Sequence, residues 1–241
     1  VNRLRVEISV DTLTGALAAD ALGVDRIELC AAALDGGLTP SHGVIAAAVR
    51  LCTRPVHVLI RPRGGDFAYA ASEIDVMIED VADAVAAGAA GVVSGVLAGG
   101  TVDRAATAEL VAAAGDREFT FHRAIDVCAD PLAAVEVLGE LGVRRVLTSG
   151  GAATALDGAA VIADMVRRAP GVTVMAGGGV RPGNVVDVVR LTRVRDVHAA
   201  PRTPVPGQPS AGVDFTSGNP PNGYDRYELD TDIARQLCAY R

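Results

Sequence analysis

Residues 21–30 read ALGVDRIELC. An apolar helix end runs into a glycine, a short turn follows, and a strand-like run closes on a thiol. The same shape returns at residues 86–95, AAGAAGVVSG, and at residues 140–149, ELGVRRVLTS. A glycine just past a helix end suits a left-handed cap. Repetition of the joint predicts β and α units alternating around one parallel sheet.

Working outward, each apolar β-like run stops on a reactive or ligand-binding group. The runs are expected at about Leu4–Val10, Arg26–Leu29, Val56–Ile60, Gly91–Gly95, Phe119–His122, Arg145–Leu147, Val172–Ala176 and Asp196–His198. Eight strands alternating with helices, with chemistry at their ends, predict a single (β/α)8 TIM-type barrel over residues 1–241 with its site at the C-terminal mouth. The length suits that fold, which takes about 250 residues in one domain. Residues 201–224 are rich in Pro, Gly and Ser and read as a long lid or flexible loop after strand 8.

Half of the residues are hydrophobic and only 3% aromatic, so the core is built from Ala, Val, Leu and Ile. The net charge of −7 argues against nucleic acid or an anionic membrane as partner. Every basic residue is arginine. Lysine Schiff-base aldolases, pyridoxal-phosphate enzymes and P-loop ATPases are excluded, because each needs a lysine amine. Cys30, Cys52, Cys128 and Cys238 lack metal-type or redox-type spacing, and no signal peptide or long apolar span is read. This composition predicts a cytoplasmic protein with reduced thiols.

Period-two alternation sorts the strand residues. Val6, Ile8 and Val10 should face the helices, with Arg5, Glu7 and Ser9 inward; Arg26, Glu28 and Cys30 follow on strand 2, and His57, Leu59 and Arg61 on strand 3. Thr120, His122 and His198 also fall inward. The lower residues Arg5, Arg26 and His57 are expected to pair inside the barrel, in salt bridges of the Arg5–Glu7 and Arg26–Glu28 type, because unpaired buried charge is costly.

The upper layer reads as functional. Glu7 and Glu28, on adjacent strands and expected at similar depth, are candidate acid and base, with His122 and His198 as electrophilic, proton-transferring or metal-binding partners. Arg61, Arg123 and the Gly177–Gly178–Gly179 turn are candidate binders of a carboxylate or phosphate. Cys30 is a candidate metal ligand, weighed against a small buried hydrophobe.

The segments RIELCAA, GGLTPSHG, PVHVLIRPRGGDFAY, TFHRAID, VLTSGG, AGGGVRPGN and VHA, in this order, resemble the CutC family, named for copper homeostasis. The resemblance implies a barrel, a cytoplasmic location, self-association as a homodimer or larger homo-oligomer, and Cu(I) bound by two cysteines at the ends of strands 1 and 2. The second matches Cys30. The first falls on Ser9, since the family's Glu-X-Cys is Glu7-Ile8-Ser9 here, and a hydroxyl is a poor Cu(I) ligand. Two functions stand side by side at this point: a Cu(I)-binding protein, and an enzyme doing Glu/His acid–base chemistry (an isomerase, epimerase or lyase) on a small anionic or sugar-like molecule, with a divalent metal or with none. A barrel whose interior charges only pair with one another is the third. Whether the chain is catalytic stays open.

Overall fold

The computed structural model describes residues 3–207 and 225–241. Eight parallel strands close into a barrel: β1 (Arg5–Val10), β2 (Arg26–Leu29), β3 (Val56–Leu59), β4 (Gly91–Ser94), β5 (Glu118–Phe121), β6 (Arg145–Thr148), β7 (Thr173–Ala176) and β8 (Asp196–Ala199). Each strand pairs with its neighbours in sequence, and β8 returns to β1. Each falls within one residue, at either end, of the bounds expected from its apolar run.

The helices are α1 (Leu13–Ala21), α2 (His42–Leu51), α3 (Ala71–Ala86), α4 (Arg104–Ala114), α5 (Pro131–Glu140), α6 (Ala159–Arg168), α7 (Val185–Thr192) and α8 (Thr231–Cys238). Side chains at their starts accept backbone N–H groups: Thr12 from Gly15, Asp103 from Ala106, and Asp130 from Leu132 and Ala133. Such caps stabilise by about 1 kcal/mol each. None of the described helices is long and apolar enough to cross a membrane.

The repeated joints end as their sequence predicts. Gly23, Gly88 and Gly142 have φ of +71°, +96° and +81°. Around each, two N–H groups reach back to the last helical turn: Gly23 to Asp20 and Val24 to Ala19, Gly88 to Val85 and Ala89 to Ala84, Gly142 to Gly139 and Val143 to Leu138. These are Schellman motifs, which stop a helix and aim the chain at the next strand.

Alternation divides the barrel wall as expected. Val6, Ile8, Ile27, Val58, Phe119 and Phe121 lie in the buried layer shared with the helices, whereas Cys30, Leu59 and Val93 form a separate small cluster. Part of the expected 201–224 loop is ordered: Arg202–Val205 pairs antiparallel with Arg226–Leu229 as a two-stranded ribbon. The rest of that loop, from residue 208, lies outside the described residues.

The lower interior is a charge network, but with other partners than expected. Arg5 Nε donates to Asp196 Oδ1 at 2.8 Å rather than to Glu7, and Arg26 pairs with Glu7 rather than with Glu28. Arg145 joins Asp196 (3.2 Å) to Glu118 (2.7 Å), and His57 Nε2 lies 3.6 Å from Glu118. The reason is register. β1 and β2 are staggered, so Glu7 stands opposite Arg26 and Ser9 opposite Glu28, while β8 sets Asp196 opposite Arg5. Three guanidiniums thus meet three carboxylates, drawn from five strands, and each ion pair joins two different strands.

Candidate functional site

A cavity of about 170 Å³ opens at the C-terminal mouth, with Ser9, Glu28, Cys30, His122, Arg123, His198 and Arg202 on its wall. Of the residues singled out from sequence, Glu28, Cys30, Arg61, His122, Arg123 and His198 come together there. Glu7 and the three glycines do not line it.

His198 is the joint between the layers. Its Nδ1 lies 2.7 Å from Glu7 Oε1, and its Nε2 lies 3.9 Å from Glu28 Oε2. Glu7 is 1% exposed and also takes Arg26 Nε. Burial alone would raise its pKa; the Arg26 charge and the His198 hydrogen bond overcome this and hold the carboxyl well below the usual range. Glu28 moves the opposite way, pushed up by burial and by the Glu7 charge. His198 is raised as well, because Glu28 and Glu7 outweigh the burial that would lower it. The two carboxylates expected at similar depth are offset by the strand register: Glu7 is an ionised support beneath His198, and Glu28, its pKa raised, stands on the cavity wall.

Glu7, Glu28 and His198 offer ligand atoms within 4.8 Å of one another. Glu7 already engages His198 Nδ1 and Arg26, so a cation at the mouth would meet only Glu28 and Nε2 without breaking that arrangement. Two donors fall short of the sets that usually hold a catalytic divalent metal.

Cys30 Sγ donates to the Val10 carbonyl at 3.4 Å and lies 3.9 Å from Ser9 Oγ. Burial, then the neighbouring Glu28, push the thiol up to about 12. Arg61 is engaged by the loops around it: NH1 donates to the Asp35 and Gly37 carbonyls at 3.0 and 3.1 Å, and NH2 to the Gly65 carbonyl at 2.8 Å. It staples the loops after β2 and β3 rather than offering an open fork to an anion. Arg123 is freer. It donates to Asp126 (2.7 Å) and Ser149 Oγ (2.7 Å), and its side chain remains 44% exposed.

Gly177 and Gly178 act by letting other groups close in. A Cβ on Gly177 would lie 2.5 Å from Leu147 Cδ1 and 3.2 Å from His198 Cβ; one on Gly178 would lie 3.1 Å from Ser149 Cβ and 3.5 Å from the Arg123 guanidinium. Gly179, at φ +72°, completes the turn.

Asp126 was not singled out from sequence. Its carboxylate accepts from Arg123 Nε, Thr148 Oγ1, Ser149 N and Oγ, and Gly151 N, tying the turn after β5 to the end of β6. Only its place in TFHRAID, three residues after Arg123, pointed to it. Ser9 was read as a vacant ligand position; it lines the cavity beside Cys30 and Glu28.

Fold and site together define a (β/α)8 barrel whose C-terminal mouth holds a small cavity with the His198 imidazole set between the Glu7 and Glu28 carboxylates. The CutC family model matches residues 4–203, and the chain belongs to the CutC family. A CutC family protein of Glaesserella parasuis is 47% identical over 197 residues, covering 81% of each chain. One from Mesorhizobium japonicum is 44% identical over 96% of this chain and 88% of its own. A CutC crystal structure from Streptococcus agalactiae, named for copper homeostasis, superposes with a TM-score of 0.77 at 31% identity, over 81% of this chain and 97% of its own.

Proposed function

We propose that the chain is an enzyme moving protons on a small anionic or sugar-like molecule, in an isomerase, epimerase or lyase reaction. The observation that carries this reading is the His198 imidazole, fixed by Glu7 on one side and facing Glu28 across the cavity wall on the other. With Nδ1–H donated to Glu7, Nε2 is left on the Glu28 side, 3.9 Å from Oε2, and a substrate seated at this wall meets both groups. Both groups are raised from their ordinary values, Glu28 by burial and the Glu7 charge, His198, against its burial, by the two carboxylates, and a carboxyl and an imidazole so placed suit proton transfer. Arg123 and Arg202 bring positive charge to the same wall, which favours an anionic group on the substrate. The cavity is close to the size that holds a six-carbon ring, so the substrate is a compound of a few carbons.

The family's name carries an association with copper homeostasis. The donors here do not fit Cu(I): a single buried thiol, hydrogen-bonded to a carbonyl and raised to about 12, with a hydroxyl where a second sulfur would be needed. No step of the proposed chemistry runs through copper. All four cysteines are unpaired, which supports a reducing, cytoplasmic setting.

The test is carbon-bound deuterium uptake from heavy water, followed by NMR. Small sugars, sugar phosphates and hydroxy acids would be screened with the native chain and with Glu28→Gln. Uptake by the native chain that falls about a hundredfold or more in Glu28→Gln is expected. Equal rates in the two proteins would sink the assignment.

A further inference from the structure

His122 follows directly on β5, where the chain enters the 3₁₀ turn Arg123–Val127. Its Nδ1 accepts the backbone N–H of Ala124 at 3.2 Å, so in the neutral ring the proton sits on Nε2. Space for this placement comes from Gly95, just past β4: a Cβ there would lie 2.6 Å from His122 Nδ1. Phe67 packs against the ring, 4.9 Å between centroids, and the Arg61 guanidinium lies 5.1 Å from the same Phe67 ring. Burial, then the Arg61 charge, push the imidazole down to about 3, against a weaker opposing pull from Asp126. The ring is therefore neutral, and Nε2 can only donate.

Nε2 is buried and has no partner among the described residues. The same holds for Arg61 Nε, although the other two nitrogens of that guanidinium are held by carbonyls. Both residues lie on the wall of the mouth cavity. A buried donor without an acceptor costs about 1–3 kcal/mol. Two of them, on residues that line one cavity and are held by independent contacts, are donors of the kind that can hold developing negative charge on oxygen.

We propose that His122 Nε2–H and Arg61 Nε–H form an electrophilic wall that receives the carbonyl oxygen of a small hydroxy-carbonyl substrate. This rests on the proton-transfer reading above and names its substrate class. Glu28, as carboxylate, removes a proton from the carbon beside the carbonyl. The C–H electron pair becomes the carbon–carbon double bond of an enolate, and the carbonyl π pair moves onto the oxygen held by the two donors. Return of a proton to carbon restores the carbonyl compound, so no oxidant or reductant is consumed.

The experiment uses the full chain with ¹⁵N-labelled histidine and oxalate as an enolate mimic. A neutral His122 protonated on Nε2 is expected, with an Nε2–H signal that moves as oxalate binds. His122→Phe should weaken oxalate about tenfold or more, and His122→Gln, which keeps an N–H donor, should recover part of the loss. An Nδ1–H tautomer, or a His122 signal unmoved by oxalate, overturns the proposal. Deuterium uptake by glyceraldehyde, dihydroxyacetone and erythrulose separates the two readings. Uptake unchanged in His122→Phe removes the donor wall and leaves the Glu28–His198 pair standing. No uptake even with the native chain removes the proton-transfer reading, and the oxalate result then decides the donor wall alone.

Discussion

His198 and Glu7 are register partners across the seam between β8 and β1, and His198 Nδ1 lies 2.7 Å from Glu7 Oε1. Closure of the barrel brings residues 191 positions apart in sequence into this contact. It selects the tautomer that leaves Nε2 on the Glu28 side. Glu7→Gln keeps the shape but can offer its N–H₂ to Nδ1 and so select the wrong tautomer. Proton-transfer turnover is expected to fall by about 10²–10⁴. A ¹⁵N spectrum of His198 read beside the rate checks this: a native tautomer at a native rate contradicts the role given to Glu7.

Glu28 predicts a conflict between stability and function. Its pKa is raised in the fold, first by burial and then by the Glu7 charge. The stability it contributes is present below the unfolded value of about 4.5 and lost as pH rises through the folded value. Glu28→Gln removes that loss. The variant should melt above the native chain at pH 8, with the gap closing toward pH 4, while turnover disappears. Thermal melts across that range are the measurement, and a variant less stable at pH 8 contradicts the burial cost.

Two buried histidines set the acid limit. His57 and His122 are each pushed down to about 3, first by burial and then by neighbouring arginine charge, Arg26 for His57 and Arg61 for His122. The unfolded chain takes up their protons near 6.5 and the folded chain does not. Stability should therefore fall as pH drops from about 6.5 toward 3, by up to about 1.4 kcal/mol per pH unit for each histidine. His198 has the opposite sign, since its raised value contributes stability below about 6.5 that is lost at higher pH. Urea midpoints at pH 7 and pH 4.5 test the balance. Replacing His57 with Gln should flatten the acid slope, and an unchanged slope counts against its burial as a neutral ring.

The barrel and the membership of its mouth were legible in the sequence because both depend on period two and on where apolar runs stop. Glu28, Cys30, His122 and His198 reach the cavity for that reason. Depth was not legible. Alternation tells which face a residue takes, whereas height depends on the stagger of tilted strands. That stagger sets Glu7 level with Arg26 and not with Glu28. That two nitrogens of Arg61 are taken by the carbonyls of Asp35, Gly37 and Gly65 was not legible either, because backbone carbonyls leave no mark in a sequence. Asp126 escaped notice for the same reason, since much of what it binds is backbone N–H.

Ser9 makes the copper question testable by a single atom. Its Oγ lies 3.9 Å from Cys30 Sγ inside the mouth. Ser9→Cys would set two thiols side by side where the native chain has one thiol and one hydroxyl. Anaerobic Cu(I) titration against a competing chelator should find no tight stoichiometric site in the native chain and one in Ser9→Cys, lost again when Cys30→Ala is added. Tight native binding abolished by Cys30→Ala would show that one sulfur suffices and would reinstate the copper reading.

The charge network beneath the site should matter for stability and not for chemistry. Asp196 is fully buried and meets Arg5 at 2.8 Å, Arg145 at 3.2 Å and Arg26 at 3.5 Å. Asp196→Asn takes one carboxylate from the buried Arg26 and Arg145, which keep Glu7 and Glu118, and from the half-exposed Arg5; the loss is expected to stay below the roughly 3–5 kcal/mol of a fully broken buried pair. Removing a cation with the anion should return part of that cost, so Asp196→Asn with Arg145→Met is expected to be more stable than Asp196→Asn alone. The pair reports coupling because the two side chains touch. Urea denaturation of the single and double variants gives the coupling free energy. A double variant as unstable as the sum of its parts would mean that the network's charges act independently, and that the barrel floor is held by packing.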